Sequence, residues 1–141
     1  MGNVHTFSSH VRARYGLIDA SLDSDTLVTA EFVDMANYDL VVFQAVASNV
    51  TSGSAVTMQI WQATATNGNG SATLATPASA VVTSTHATQT DILTCQVRGE
   101  DLSSGYRYVG AKIAANASVA CPVAIIINQM RGRYKQATLP A

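Results

Sequence analysis

The sequence runs to 141 residues with a formal net charge of −1; 48% of its residues are hydrophobic and only 12% charged. That length suits one domain able to bury about 70% of its unfolded surface without metal or disulfides. The near-zero charge excludes a protein that gains affinity by neutralising phosphates and gives no ground for a membrane-surface partner.

The charged fraction is about half the ordinary value of roughly 25%, so much of the surface is expected to meet other protein. Charge is also segregated. Between Gly16 and Val97 every charged residue is acidic, whereas Arg12, Arg14, Arg131, Arg133 and Lys135 form basic clusters towards the two ends. Complementary patches of this kind can steer subunits into register; charges solvated by chance give the same pattern.

In chain order, residues 1–25 keep no sustained period of 2 or 3.6 and read as an extended N-terminal arm. Phe7, Val11, Tyr15, Leu17 and Ile18 make it too apolar for a free tail. The opening Gly2-Asn3-Val4-His5-Thr6 has neither the basic nor the apolar region of a secretory leader, so synthesis in a cytoplasm is expected. A strand follows at about Thr26 to Asp34, then a corner at Asp34-Met35-Ala36-Asn37, where Asp and Asn bond the backbone two residues on.

The stretch Tyr38 to Thr64 organises the rest. Tyr38 to Ala47 is apolar on both faces, which predicts a central strand covered on both sides. Ala55 to Thr64 alternates, with Val56, Met58 and Ile60 on one face and Thr57, Gln59 and Trp61 on the other. The run Asn49 to Ser54 between them predicts a hairpin. Asn67-Gly68-Asn69-Gly70 is a loop, since it lacks the Lys and following helix of a phosphate cradle. A weak strand near Ala80 to Ser84, and strands at Asp91 to Arg98, Tyr106 to Ala115 and Val119 to Met130 complete the series, with Pro122 tolerated near a strand start. The prediction is an all-β two-sheet sandwich of about seven or eight strands with jelly-roll or Greek-key connections, spanning 26–130 and followed by a basic tail, 131–141.

Chemistry is sparse. His5, His10 and His86 are isolated and fit no metal-ligand spacing. Asp19, Asp23 and Asp25 lack the Gly and Glu of a calcium loop, the sixth position from Asp19 being Ser24 and the twelfth Ala30. No GxSxG, P-loop or GxGxxG occurs, so no catalytic, cofactor or metal site is expected, and no enzyme. Cys95 and Cys121 sit in apolar strand patterns as reduced, buried thiols, with a single bridge left open. Trp61 is the residue singled out for binding: it packs under a loop, or stands exposed as an interface anchor or sugar-stacking platform.

The series Val33-Asp34-Met35-Ala36-Asn37-Tyr38, the apolar strand and Gly/Ser turn, Thr57-Met58-Gln59-Ile60-Trp61-Gln62-Ala63-Thr64, and Gly105-Tyr106-Arg107-Tyr108-Val109 resembles the small jelly-roll head decoration (cement) proteins of tailed bacteriophages. The resemblance spans about Thr26 to Met130 through strand patterns and turn placements. It implies a non-enzymatic virion protein on the outside of the head, a homo-oligomer with the trimer favoured, whose partner is the major capsid protein, with neither nucleic acid nor membrane bound. On physical grounds, Phe7, Val11, Arg12, Arg14, Tyr15, Trp61, Arg131, Arg133 and Lys135 are the expected interface. The competing expectation is a carbohydrate-binding or adhesin sandwich with Trp61, Tyr106 and Tyr108 as its platform; a small enzyme is a third, and within the virion class a head-tail joining or tail protein is the alternative to a head protein.

Overall fold

The computed structural model describes residues 11–22, 28–29, 31–74, 80–83, 88–116 and 121–130. Ten strands occur among them: β1 (Val11–Leu22), β2 (Val28–Thr29), β3 (Val33–Asp34), β4 (Leu40–Thr51), β5 (Ala55–Ala63), β6 (Ala72–Thr73), β7 (Ala80–Thr83), β8 (Thr88–Arg98), β9 (Tyr108–Asn116) and β10 (Cys121–Met130). The one helical turn among the described residues is a 3-10 turn, Gly99–Asp101. A four-stranded sheet has the order β1-β10-β4-β8; a six-stranded sheet has β2-β9-β5-β6, with β3 also on β9 and β7 also on β5.

The registers show one continuous rule. β1 pairs with β10, β2 and β3 with β9, β4 with β8, and β5 with β6 and β7, all antiparallel. The first half of the chain read forwards therefore pairs with the second half read backwards, as one long hairpin rolled into two layers. That is a jelly roll. The hairpin reverses at 64–71, where Gly68 and Gly70 take φ of +80° and +64°. There the Thr64 N–H and hydroxyl both donate to the Asn69 carbonyl, at 3.2 and 3.1 Å.

The core lies between the layers. Val41, Phe43, Ala45 and Ala47 of β4, Leu93, Cys95 and Val97 of β8, and Val123, Ile125 and Ile127 of β10 face Val56, Met58 and Ile60 of β5 and Val109, Ala111, Ile113 and Ala115 of β9; all are buried. Alternation along each strand delivers these side chains to one face, interrupted in β4 by the register shift between Ala47 and Val50. Gln62 is buried among them, and its amide is satisfied by Ser103, donating to Ser103 Oγ and accepting from the Ser103 N–H, both at 2.9 Å.

Two expectations change here. The hairpin between β4 and β5 does not form: the strands belong to opposite sheets, and the turn Thr51 to Ser54 carries the chain across the sandwich, with the Ser54 N–H donating to the Thr51 carbonyl at 3.0 Å. Each strand has one wholly apolar face, and stacking the two buries both at once, whereas side-by-side pairing leaves both needing a third element. The apolar arm, for its part, packs on its own domain. Its residues Val11–Leu22 form β1 along β10, with breaks in register at Tyr15/Leu17 and Asp19/Leu22. Those breaks erase the period of two that marks a strand. At the first break the Gly16 carbonyl accepts the Glu31 N–H at 3.0 Å, tying β1 to the segment that leads into the other sheet.

Both cysteines are buried, and neither is joined in a disulfide. Burial pushes the Cys121 thiol up from its ordinary value, and its Sγ donates to the Leu22 carbonyl at 3.5 Å.

Candidate functional site

The expected interface residues do not form one site. Val11 and Tyr15 point outward from the four-stranded sheet, beside Met130 and Ile126 of β10, and Tyr15 is 70% exposed. Arg12 and Arg14 occupy the opposite parity on β1, beside the inward-facing Gln129 and Ile127, and Arg14 forms an ion pair with Glu31. Trp61 belongs to the outer face of the other sheet. Phe7, Arg131, Arg133 and Lys135 lie outside the described residues, as do the three histidines, Asp23 and Asp25.

The outer face of the six-stranded sheet is covered by its own chain. Trp61 pairs in register with Gly110, and Gln59 with Lys112. Phe32 lies on Gly110 so closely that a Cβ there would meet its ring at 2.8 to 2.9 Å; the ring edge also approaches Gly68 of the 64–71 loop. The Lys112 ammonium sits 3.6 Å from the centroid of the Trp61 ring, a cation–π contact that occupies one face of the indole. Trp61 is half-buried, and its Nε1 has no hydrogen-bond partner among the described residues.

Tyr106 and Tyr108 are also half-buried, and the Arg107 guanidinium stands 5.6 Å from the Tyr108 centroid. Arg107 makes a forked pair with Asp34, Nε to Oδ1 at 2.7 Å and Nη2 to Oδ2 at 2.5 Å. That hydrogen bonding holds the Asp34 carboxyl below its usual range and raises Arg107 further. Asp34 Oδ1 also accepts the Ala36 N–H at 2.8 Å, the local bond expected of this corner. An open cleft between Asp39-Leu40 and Arg98-Gly99-Glu100 mixes both charges with backbone and presents no nucleophile–base pair. No group of three His, Cys, Asp or Glu side chains that could hold a metal ion occurs among the described residues.

The outer face of the four-stranded sheet is the contrast. Ile18, Ile92 and Ile126 are 71%, 62% and 42% exposed. Register places Ile18, Ala124, Val46 and Ile92 in one row across all four strands, with Tyr15, Ile126, Gln44 and Thr94 in the next. The sequence pointed to Val11 and Tyr15 as interface residues and to Ile18 as an apolar residue needing cover, but not to Ile92 or Ile126. The signal was present in β4 and β10, whose outward positions Leu40, Val42, Val46, Ala124 and Ile126 are apolar although their inward positions already supply the core. β4 is central as expected, but only its inner face is buried.

Paired halves rolled into two antiparallel layers define the class as an all-β jelly-roll sandwich without a catalytic constellation among the described residues. No protein-family model matches the sequence, and no curated protein matches it. Among solved structures, the chain is similar to a chain in the structure of infectious bursal disease virus, Gt strain, with a TM-score of 0.51 and 10% identity over 89% of this chain and 33% of that one. It is likewise similar to a chain from the Gx strain, with a TM-score of 0.52 and 11% identity over 88% and 33%. This chain thus spans about a third of the chains it resembles, and the likeness is one of fold.

Proposed function

We propose that this protein is a virion structural protein: a capsid decoration or cement protein that binds the outer surface of an assembled phage head and bridges neighbouring capsid subunits. The observation that carries the reading is the outer face of the four-stranded sheet, which exposes Tyr15, Ile18, Ile92 and Ile126 and carries charge only at the Arg98 corner, on a fold shared with a chain of a virus structure. A surface of that kind suits a lattice of repeated protein contacts. A protein that binds the assembled shell and not its loose subunits stabilises it by mass action, and many weak copies suffice. The protein acts without catalysis, as a homo-oligomer made in the host cytoplasm, and the phage resemblance favours trimers.

The sugar-binding alternative needs open aromatic rings on one face; Lys112 on Trp61 and the half-burial of Tyr106 and Tyr108 count against it.

The test is to pellet phage particles and measure this chain against the abundant capsid protein. A fixed ratio near one to one is the expected result. A few copies per particle would move the reading to the neck or tail, and absence from the particles would overturn it.

A further inference from the structure

We propose that the outward face of the four-stranded sheet is an isologous interface, covered by the same face of a second copy of this chain. The inference rests on the area, charge and register of that face; the virion reading draws on the same face, which is here assigned to the pairing of two copies and not to the capsid.

The area is that of an interface. Tyr15, Ile18, Ile92 and Ile126 together expose on the order of 500 Å², at the upper end of the largest apolar patch a monomer ordinarily shows. The partly buried Val46 and Ala124 join Ile18 and Ile92 in one row, Gln44 and Thr94 complete the next, and the exposed apolar area is somewhat over half of the ~800 Å² each partner contributes to a standard protein interface.

Charge selects the occupant. Of the outward positions with described side chains on β1, β10, β4 and β8, Arg98 alone is charged, at one corner, and Glu100 stands 3.5 Å from its guanidinium. Such a face offers nothing to an anionic or cationic ligand. When it meets its own copy about a twofold axis, no like charges are brought together at its centre, the usual cost of an isologous contact. The partner must supply an apolar, uncharged sheet of similar extent, and this chain supplies one. Two such faces stack about 10 Å apart, as the two layers of the sandwich already do.

The experiment is sedimentation equilibrium of the full chain from about 1 to 200 µM, comparing wild type with the double variant Ile18→Lys/Ile92→Lys, and circular dichroism and Tm to verify folding. The expected result is an even-numbered wild-type species, a dimer, or a hexamer if threefold contacts also operate. Its mass halves in the variant, or its dissociation constant rises by at least about 100-fold, with the circular dichroism spectrum of the fold kept and Tm lowered by no more than the lost self-association accounts for. As a second measurement, Ile126→Cys, at the centre of the face, should give a disulfide-linked dimer on mild oxidation. A monomeric wild type overturns the pairing: if the variant then loses Tm, the face is covered by the chain's own residues, and if it loses particle binding instead, by a capsid protein. An odd-numbered species, or a mass the variant leaves unchanged, overturns it equally.

Discussion

The two outer faces of this sandwich are built from the same strand chemistry and finished differently. The six-stranded sheet closes its outer face locally: Phe32 lies on Gly110, Lys112 lies on Trp61, and the 64–71 loop reaches the far edge of the Phe32 ring. The four-stranded sheet leaves Tyr15, Ile18 and Ile92 more than half exposed. A large aromatic on an outer face is therefore no guide to an interface here. Trp61, the most conspicuous side chain in the sequence, is finished within the fold, whereas plain isoleucines carry the open surface.

Substitutions can break this contrast from either side. The largest effect is expected from Phe32→Ala, which uncovers Gly110 and empties the outer layer of the larger sheet; a loss of about 3–5 kcal/mol should appear as a lower urea midpoint. Gly110→Ala forces a methyl group into the Phe32 ring and should cost about 1–3 kcal/mol by the same measurement. Lys112→Met keeps the stem but removes the charge over the indole; a loss of about 0.5–1 kcal/mol with a shift in Trp61 fluorescence is expected. Ile92→Ser, on the open face, should change monomer stability by no more than about 0.5 kcal/mol, and a loss as large as that of Phe32→Ala would show that face to be covered too.

The smallest effect concerns pH. Asp34 is held below its usual range by Arg107, so its paired carboxylate contributes stability above about pH 4. That contribution is lost as pH falls through the folded-state value. Stability curves of wild type and Arg107→Gln should differ near neutrality and converge in acid. Curves that stay parallel would remove the pair from the account.

Much of the layer structure was legible because the long strands alternate: β5, β9 and β10 were read within about two residues of their observed ends, β8 within about three, and even the four-residue β7 was located. The partners were less legible than the strands. A Gly/Ser turn between two apolar strands looks the same whether the chain pairs with itself or crosses to the opposite layer, and only the need to bury Val41, Phe43 and Ala45 against Val56, Met58 and Ile60 separates the two. β1 was unreadable as a strand because two register breaks scramble its alternation and because Arg14 sits at an inward position, answered by Glu31. β2 and β3 both fall within the single strand expected at about Thr26 to Asp34, whereas β6, two residues long, carries no period.

Of the candidate interface, Tyr15 was found through its excess of apolar character in a weakly patterned segment. Ile126 was hidden because a buried and an exposed isoleucine look alike when both faces of a strand are apolar, whereas Ile92 shares its outward face with Thr94, Gln96 and Arg98, a signal that alternation did offer.

The rolled hairpin also sets an order of events during synthesis. β10 sits between β1 and β4, so until residues 121–130 have been made β1 has no partner strand and β4 is paired on its β8 side alone. At about 5–20 residues per second, β1 waits several seconds for a partner that emerges more than a hundred residues later. The six-stranded sheet is less constrained, because β5 meets β6 and β7 almost at once. A ribosome stalled before Cys121 would therefore hold a chain with one layer begun and the other lacking its central strand. The pairing of Val11 with Met130 is the last stitch of the fold, placed by the strand that is made last among those described here.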